Sequence, residues 1–191
     1  MGRVVVCTNI TLDGVMQAPG RPDEDRREGF SHGGWAAPYG AMANVGQVFG
    51  QAGALLLGRR TYLDFADVWP KRADSPFTPW LNMTPKYVVS RTLDDPLPWV
   101  NSILLEGDLA SAVSQLKREM AKDALILGSG ELIRSLMAHD LVDEYVLLIH
   151  PLVLGTGRRL FADGGVQSTL RLVSSSTAPN GVIMATYQPA R

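Results

Sequence analysis

The sequence predicts an α/β fold in which helices flank a mixed, mainly parallel central sheet and an antiparallel hairpin ends the chain. Strand-like apolar runs alternate with helical segments through the middle of the chain, the order that crossover connections produce. Residues 170–189 differ, since two strand-like runs enclose "PNG", a turn signal. The 191 residues contain no repeat, low-complexity tract or linker, so we expect a single domain over 1–191.

The elements of the first half follow from β-branched runs, turn residues and helical spacing. Asp-Gly and Pro-Gly turn signals and then a dense run of charges follow the first strand and predict a long loop, typical of a lid or binding loop. Met42, Val45, Val48 and Phe49 recur at helical spacing. The predicted elements are a strand over 3–10, a loop over 13–34, a helix over 41–53, a strand over 54–57 and a helix over 61–69.

The second half contains the more regular strand and helix alternation. Proline-rich punctuation predicts a loop over 74–85. Residues 109–121 form an amphipathic pattern with Leu109, Val113, Leu116 and Met120 on one face. The other predicted elements are strands over 86–93, 102–107, 123–130 (ending in a glycine turn) and 143–155, and a helix over 131–140.

Composition and charge exclude several classes of protein. The net charge of −1 provides no basic excess with which to bind nucleic acid. No segment approaches the ~20 apolar residues of a membrane span. The single cysteine, Cys7, cannot form an internal disulfide, which fits a reducing cytoplasm. The three histidines lack metal-ligand spacing, so we expect no metal.

Two predicted strand-to-helix junctions carry residues suited to phosphate binding. In the first, Gly58 permits a turn, Arg59 and Arg60 supply charge-assisted donors, and Thr61 offers a hydroxyl. In the second, "GSG" at 128–130 precedes a helix, whose first amides and macrodipole favour an anion. We therefore expect both junctions to contact an anionic ligand.

A third group, Ser90 and Arg91, follows another predicted strand and suits a terminal phosphate such as that on the ribose of NADP. Ligands of open α/β sheets collect at the carboxyl ends of the strands, where all three groups are predicted to lie. The dinucleotide fingerprint of a Rossmann domain is absent, because "GSGELI" has no third glycine and no suitably placed acidic residue follows it. A bound dinucleotide would thus be held by a different fold.

Six motifs in order resemble the dihydrofolate reductase-like family. They are "TLDGVM", "LLLGRRTY", "KYVVSRTL", "LILGSGELIRSLM", "LVDEYVLLIHPLVLGTGRRLF" and the final hairpin. The run "DEYVLLIHPLVLGTGRRLF" is the most similar to one branch, the C-terminal reductase domain of the bifunctional riboflavin-biosynthesis deaminase/reductase. The resemblance spans nearly the whole chain and implies the three-layer fold of that family.

The resemblance further implies NADPH as the cofactor and a homodimer as the assembly. It places the loop with Met16 over the nicotinamide, the first junction near the adenosine phosphates, Ser90 and Arg91 at the 2′-phosphate, and the second junction at the pyrophosphate and nicotinamide half. The implied cofactor residues are Met16, Gly58, Arg59, Arg60, Thr61, Ser90, Arg91, Gly128, Ser129, Gly130, Glu131 and Leu132. The "GTGRR" run at 155–159 predicts an exposed basic pair, with a dimer contact or substrate-phosphate binding as alternatives.

The implied function is an NADPH-dependent reductase of the riboflavin-biosynthesis type, resembling 5-amino-6-(5-phosphoribosylamino)uracil reductase, which transfers hydride to a C=N or carbonyl carbon of a small heterocyclic substrate. The stretch over 34–54, which matches the substrate-gripping helix of folate reductases, has no Asp or Glu, so folate reduction is disfavoured. Two alternatives stay open: a reductase for a pterin-like or other small molecule, and a non-catalytic nucleotide-binding protein.

Four further residues are candidates for the reacting end of the site. Asn9 and Asp13 follow the first strand and are weak catalytic candidates; Asp13 is equally explained as a turn former. Trp35 and Tyr39 in "GGWAAPY" could form an aromatic wall for a flat heterocycle, or could pack within the loop.

Overall fold

The computed structural model describes residues 1–40, 46–73 and 75–190. Within these ranges, eight strands form one sheet in the order β4-β3-β2-β5-β1-β6-β8-β7. The first six are mutually parallel, whereas β8 pairs antiparallel with β6 and β7. Their bounds are β1 Val4–Thr11, β2 Ala52–Gly58, β3 Lys86–Val89, β4 Ser102–Leu105, β5 Asp123–Leu127, β6 Glu144–His150, β7 Leu170–Thr177 and β8 Ile183–Pro189. The predicted mixed sheet and terminal hairpin are confirmed.

In the described part of the chain, five α-helices connect or flank these strands: α1 Gly46–Gln51, α2 Arg59–Val68, α3 Thr78–Met83, α4 Leu109–Glu119 and α5 Gly130–Met137. The prediction of a loop over 74–85 is wrong, because α3 lies within it. Pro79 stands in the first turn of α3, where its missing N–H costs no hydrogen bond, and Pro85 follows the last turn. Of the residues used to predict the helix over 41–53, Met42 and Val45 lie outside the described residues. None of the helices in the described ranges is long and apolar enough to cross a membrane.

Two apolar cores lie on opposite faces of the sheet. Alternate residues of β1 and β2 contribute to each, so that Val4 and Leu56 face one core and Val5 and Leu55 the other. The first core contains the buried apolar residues of α4 and α5, and the second contains those of α1, α2 and α3. This three-layer arrangement leaves the strand ends uncovered by either helix layer.

A fully buried lysine holds the C-terminal end of α3. Lys86 Nζ donates to the carbonyl oxygens of Leu81 at 2.7 Å and Thr84 at 2.7 Å, and it lies 4.4 Å from the centre of the Trp99 ring. The last carbonyls of a helix have no partner within it, so the ammonium group takes that role. Burial lowers the pKa of Lys86 to about 8.

Replacing this lysine should reduce stability. In Lys86→Met the carbonyls of α3 lose their donor, and we expect the free energy of unfolding at neutral pH to fall by about 1–3 kcal/mol. Because the pKa is lowered in the folded state, the unfolded chain binds more protons between about pH 8 and the ordinary lysine pKa. The wild type should therefore gain stability relative to the variant as pH rises through that window. Urea denaturation at neutral and alkaline pH measures both effects.

The control is Lys71→Met. Lys71 is 71% exposed and, among the described residues, pairs with Asp67 across one helical turn. An exposed pair of this kind contributes under about 1 kcal/mol, so this variant should stay close to the wild type. Equal losses in the two variants would contradict the role assigned to Lys86.

Candidate functional site

A cavity of about 1080 Å³ lies at the carboxyl ends of the six parallel strands. Each of these strands contributes lining residues at or just beyond its end, from Asn9 of β1 to Leu148 of β6. This is the edge at which ligands of open α/β sheets bind. All twelve residues predicted to contact the cofactor line this one cavity, as does Asn9. The structure therefore brings together the three groups that the sequence separates by up to 72 positions.

The two glycine-containing junctions are joined by reciprocal hydrogen bonds. The Gly58 amide donates to Ser129 Oγ at 3.1 Å, and the Ser129 amide donates to Thr61 Oγ1 at 3.1 Å. Gly128 and Ser129 both have positive φ, at 59° and 56°, which lets the chain turn sharply from β5 into α5. A Cβ on Gly128 would lie 3.3 Å from Thr61 Cγ2, so this approach requires glycine.

The predicted anion seat at the start of α5 needs one refinement. Since Thr61 already accepts the Ser129 amide, that amide is not free for a ligand. The amides of Gly130 and Glu131 lie in the first turn, where no helical carbonyl precedes them, and they remain available donors. A Cβ on Gly130 would lie 2.8 Å from Met16 Sδ, so the loop after β1 packs directly on this turn.

Positive charge is concentrated in the cavity. Ten arginines and six carboxylates line it, an excess of four positive charges on a chain with a net charge of −1. The lining arginines are Arg21, Arg26, Arg27, Arg59, Arg60, Arg72, Arg91, Arg134, Arg158 and Arg159. Such a concentration favours a ligand that carries several negative charges.

The three arginines predicted to contact the cofactor share two features. Arg59, Arg60 and Arg91 are exposed, and none forms an ion pair within 4 Å with a carboxylate in the described part of the chain. Ser90 lies beside Arg91, and its Oγ accepts the amides of Thr92 and Leu93 at 3.1 and 3.0 Å. The Ser90 hydroxyl proton remains available to donate, so this pair offers a guanidinium and a hydroxyl to a ligand.

The loop over 13–34 crosses the mouth of the cavity and is tied to both sides. Arg21 forms a two-bond ion pair with Asp64 of α2, with 2.5 Å between Arg21 Nη2 and Asp64 Oδ1. On the opposite side Arg158 pairs with Glu28 of the loop and with Glu131 of α5, the latter at 2.9 Å. Burial raises the pKa of Glu131, but the hydrogen bond from Arg134 and the charges of Arg134, Arg158 and Arg60 together outweigh it, so the pKa is lowered. Glu131 therefore stays charged and keeps its ion pair with Arg158.

Asn9 is held in the cavity floor by a buried histidine. Its Oδ1 lies 2.9 Å from His150 Nε2 and can only accept, so Nε2 carries the proton. His150 is fully buried, and burial lowers the pKa of its ring, which favours the neutral form. Asn9 Nδ2 has no hydrogen-bond partner among the described residues and is thus a free donor in the cavity wall.

The other three candidates of the reacting end lie elsewhere. Asp13 does not line the cavity, because its carboxylate accepts from Thr11 Oγ1 and from the amides of Leu154 and Gly155. These bonds, with the one from Thr11 the strongest, lower the pKa of Asp13. It acts as a turn former, the alternative reading of the sequence.

Trp35 and Tyr39 pack around His150 rather than facing the cavity. Their ring centres lie 5.2 and 5.1 Å from that of the histidine, in edge-to-face geometry. Trp35 is buried and its Nε1 donates to the Gln17 carbonyl at 2.7 Å. These contacts match the packing alternative for the two rings and leave no aromatic wall at 35–39 in the described cavity lining.

Sequence reasoning missed an aromatic group that does line the cavity. A four-residue spacing along α2 and the helical turn that follows it places Thr61, Phe65 and Trp69 on one helix face. Phe49, Phe77 and Leu81 of the neighbouring helices and loop line the same region. The spacing on α2 was a detectable signal, but the three other residues come from separate segments. Arg158 and Arg159, predicted as an exposed pair, also line the cavity.

Comparison with known proteins fixes the family. A model of the RibD C-terminal domain matches residues 3–184. The chain belongs to the RibD C-terminal domain family. This family comprises reductases, so the expected class of protein is confirmed at that level. A relative in Bacillus subtilis (strain 168), the uncharacterized protein YyaP, is 34% identical over 145 residues, or 72% of this chain and 74% of YyaP.

Solved structures confirm the dihydrofolate reductase-like fold. A candidate riboflavin biosynthesis protein from Shewanella sp. PV-4 superposes with a TM-score of 0.71 at 22% identity, covering 100% of both chains. The dihydrofolate reductase of Enterococcus faecalis, complexed with NADP(H) and RAB-propyl, gives a TM-score of 0.62 at 14% identity and covers 100% of this chain and 98% of its own. At these identities the likeness establishes the fold of the RibD C-terminal family member described here.

The junction between β5 and α5 should tolerate substitution poorly. Gly128→Ala places a side chain at positive φ and against Thr61, which disturbs both reciprocal hydrogen bonds. We expect a loss of about 2–3 kcal/mol in the free energy of unfolding, measured by urea denaturation.

Gly164→Ala provides the matched control. Gly164 has a φ of 72°, but a Cβ there would meet nothing within 4 Å. The Gly164→Ala variant should therefore lose only about 1–2 kcal/mol in the free energy of unfolding, because its one cost is backbone strain. If both variants lose the same amount, the contact with Thr61 does not matter.

Proposed function

We propose that this protein is an NADPH-dependent reductase of the riboflavin-biosynthesis type. The observation that carries the proposal is the excess of four positive charges in one cavity at the carboxyl ends of the parallel strands. NADPH bears several phosphate charges, and a site rich in guanidinium groups and helix-start amides matches them. The fold of the family is also that of a neighbour whose structure contains NADP(H).

The described residues fit such a cofactor at three places. The first turn of α5 offers the amides of Gly130 and Glu131 to the pyrophosphate. Arg59, Arg60 and Thr61 stand at the start of α2 for the adenosine phosphates. Ser90 and Arg91 are the proposed partners of the 2′-phosphate, because Arg91 has no competing carboxylate in the described ranges.

The reaction proposed is reduction of a C=N or C=O carbon in a small heterocyclic substrate. NADPH, when bound, supplies a hydride to that carbon. Asn9 offers a free amide donor at the floor of the cavity and is held by His150. Asp64 is the acidic residue of α2 that lines the cavity, and its pairing with Arg21 keeps it from acting as a free acid. The proton for the reduced atom therefore comes from water in this proposal.

We also propose a cytoplasmic homodimer. Five apolar side chains are exposed on the edge strand β7 and on the segment before it: Val153, Phe161, Val166, Leu172 and Val173. An exposed apolar edge strand is a ready surface for pairing with a second copy.

Cofactor binding is tested by fluorescence titration with NADPH and NADH. We expect the wild type to prefer NADPH, and Arg91→Ala to weaken NADPH binding about tenfold while leaving NADH nearly unchanged, because only NADPH carries the 2′-phosphate. Arg59→Ala should weaken both. Arg118→Ala removes an exposed arginine of α4 outside the cavity lining and should change neither. Equal affinity for the two nucleotides would refute the 2′-phosphate assignment.

Turnover is tested by following NADPH absorbance with the ribosylaminopyrimidinone phosphate, with dihydrofolate and without substrate. We expect consumption with a substrate of the first kind and none without substrate. Asn9→Ala should lower kcat/KM at least tenfold with little change in NADPH affinity, because it removes a donor from the reacting end. Binding of NADPH without oxidation by any acceptor would identify a non-catalytic nucleotide-binding protein instead.

A further inference from the structure

One end of the cavity is built from aromatic and aliphatic side chains. We call it the aromatic alcove and define it by Phe49, Phe65, Trp69, Phe77 and Leu81, all of which line the cavity. Trp69 directly follows α2 and stands eight residues after Thr61, which separates the two by roughly 12 Å at the usual helical rise. The alcove is therefore distinct in position from the phosphate-binding start of α2.

The rings of the alcove are fixed by one another. The Phe49 ring centre lies 5.7 Å from that of Phe77 and 4.8 Å from that of Trp80, and the centres of Phe65 and Trp69 are 6.1 Å apart. Arg72 adds a cation–π contact, with its Cζ 5.3 Å from the centre of the Trp69 ring. The alcove is thus preformed, and a ligand would not have to order these side chains.

Charged groups at this end are already engaged. Asp64, between Thr61 and Phe65 on α2, is paired with Arg21 of the loop, which places an ion pair at the border between the basic region and the alcove. Arg72 is stacked on Trp69. Among the described residues that define the alcove, none has a side chain that can bind a phosphate or a hydroxyl, apart from the indole N–H of Trp69.

From these observations we infer that the aromatic alcove binds the planar, conjugated ring of the substrate, and that a phosphorylated sugar chain carried by the substrate lies outside the alcove. This inference rests on the proposed function, since the reducible C=N or C=O group must reach the cofactor from the alcove. Aromatic rings interact favourably with a planar ligand through stacked and edge-to-face contacts. A sugar phosphate would leave its hydroxyls and its charge without partners here, and each buried unpaired group weakens binding.

Binding of two probes to the protein saturated with NADP⁺ tests this inference by calorimetry. The probes are 2′-acetonaphthone, a planar aromatic ketone, and ribose 5-phosphate, a phosphorylated sugar; NADP⁺ occupies the basic region and keeps the sugar phosphate out of it. We expect the ketone to bind at least tenfold more tightly than ribose 5-phosphate. Trp69→Ala should weaken ketone binding at least tenfold, and Trp69→Phe should retain most of it, because the ring is what binds.

The NADP⁺ affinity of each variant distinguishes a local effect from a damaged fold, and it should not change. Val100→Ala removes an exposed apolar side chain outside the cavity and should leave ketone binding intact. Equal affinity for the two probes, or a loss of NADP⁺ binding in Trp69→Ala as large as the loss of ketone binding, would overturn the inference. Failure of the wild type to bind NADP⁺ would instead refute the proposed function, and the same ketone titration without nucleotide would still test the alcove.

Discussion

The reciprocal hydrogen bonds between the two strand-to-helix junctions are the constraint on which the cavity depends. Gly58 donates to the side chain of Ser129, and Ser129 donates back to the side chain of Thr61. These bonds join β2–α2 to β5–α5, although the two junctions lie far apart in sequence. Because β2 and β5 are neighbours in the sheet, the bonds set the distance between the first turns of α2 and α5. The basic residues and free amides therefore face one shared space.

Helix α2 connects the basic region of the cavity to the aromatic alcove. The first turn of α2 contributes Arg59, Arg60 and Thr61, whereas Phe65 and Trp69 follow on the face of Thr61. Any movement of α2 relative to the sheet would displace both regions together. The relative placement of a charged ligand and an apolar one is thus fixed by helix geometry, with no flexible segment between them.

Much of the fold and of the basic region could be predicted from local signals. Gly58 ends β2, and Ser90 and Gly128 directly follow β3 and β5. The carboxyl ends of parallel strands must meet at one edge of the sheet. The direction of a loop side chain was not predictable in this way. Trp35 and Asp13 were suited by residue type to a ligand site. Hydrogen bonds with Gln17 and Thr11, respectively, hold these two side chains outside the cavity.

The aromatic alcove was beyond sequence reasoning for another reason. It takes Phe49 from α1, Phe65 from α2 and Leu81 from α3, and no local pattern links those helices. The short helix α3 was not predicted, because prolines usually indicate loops. Pro79 nevertheless occupies a position in the first turn where helices accept proline.

The loop over 13–34 is attached in two different ways along its length. Near its start, Val15 bridges to Arg159 and the Met16 amide donates to the Arg158 carbonyl, while just beyond its end Trp35 is buried against His150. Its middle is held across the cavity mouth by the ion pairs of Arg21 and Glu28. Dissolved salt screens such pairs but leaves backbone bonds and apolar contacts in place. We therefore expect higher ionic strength to loosen the middle of the loop selectively. The rates at which molecules enter and leave the cavity should rise as a result.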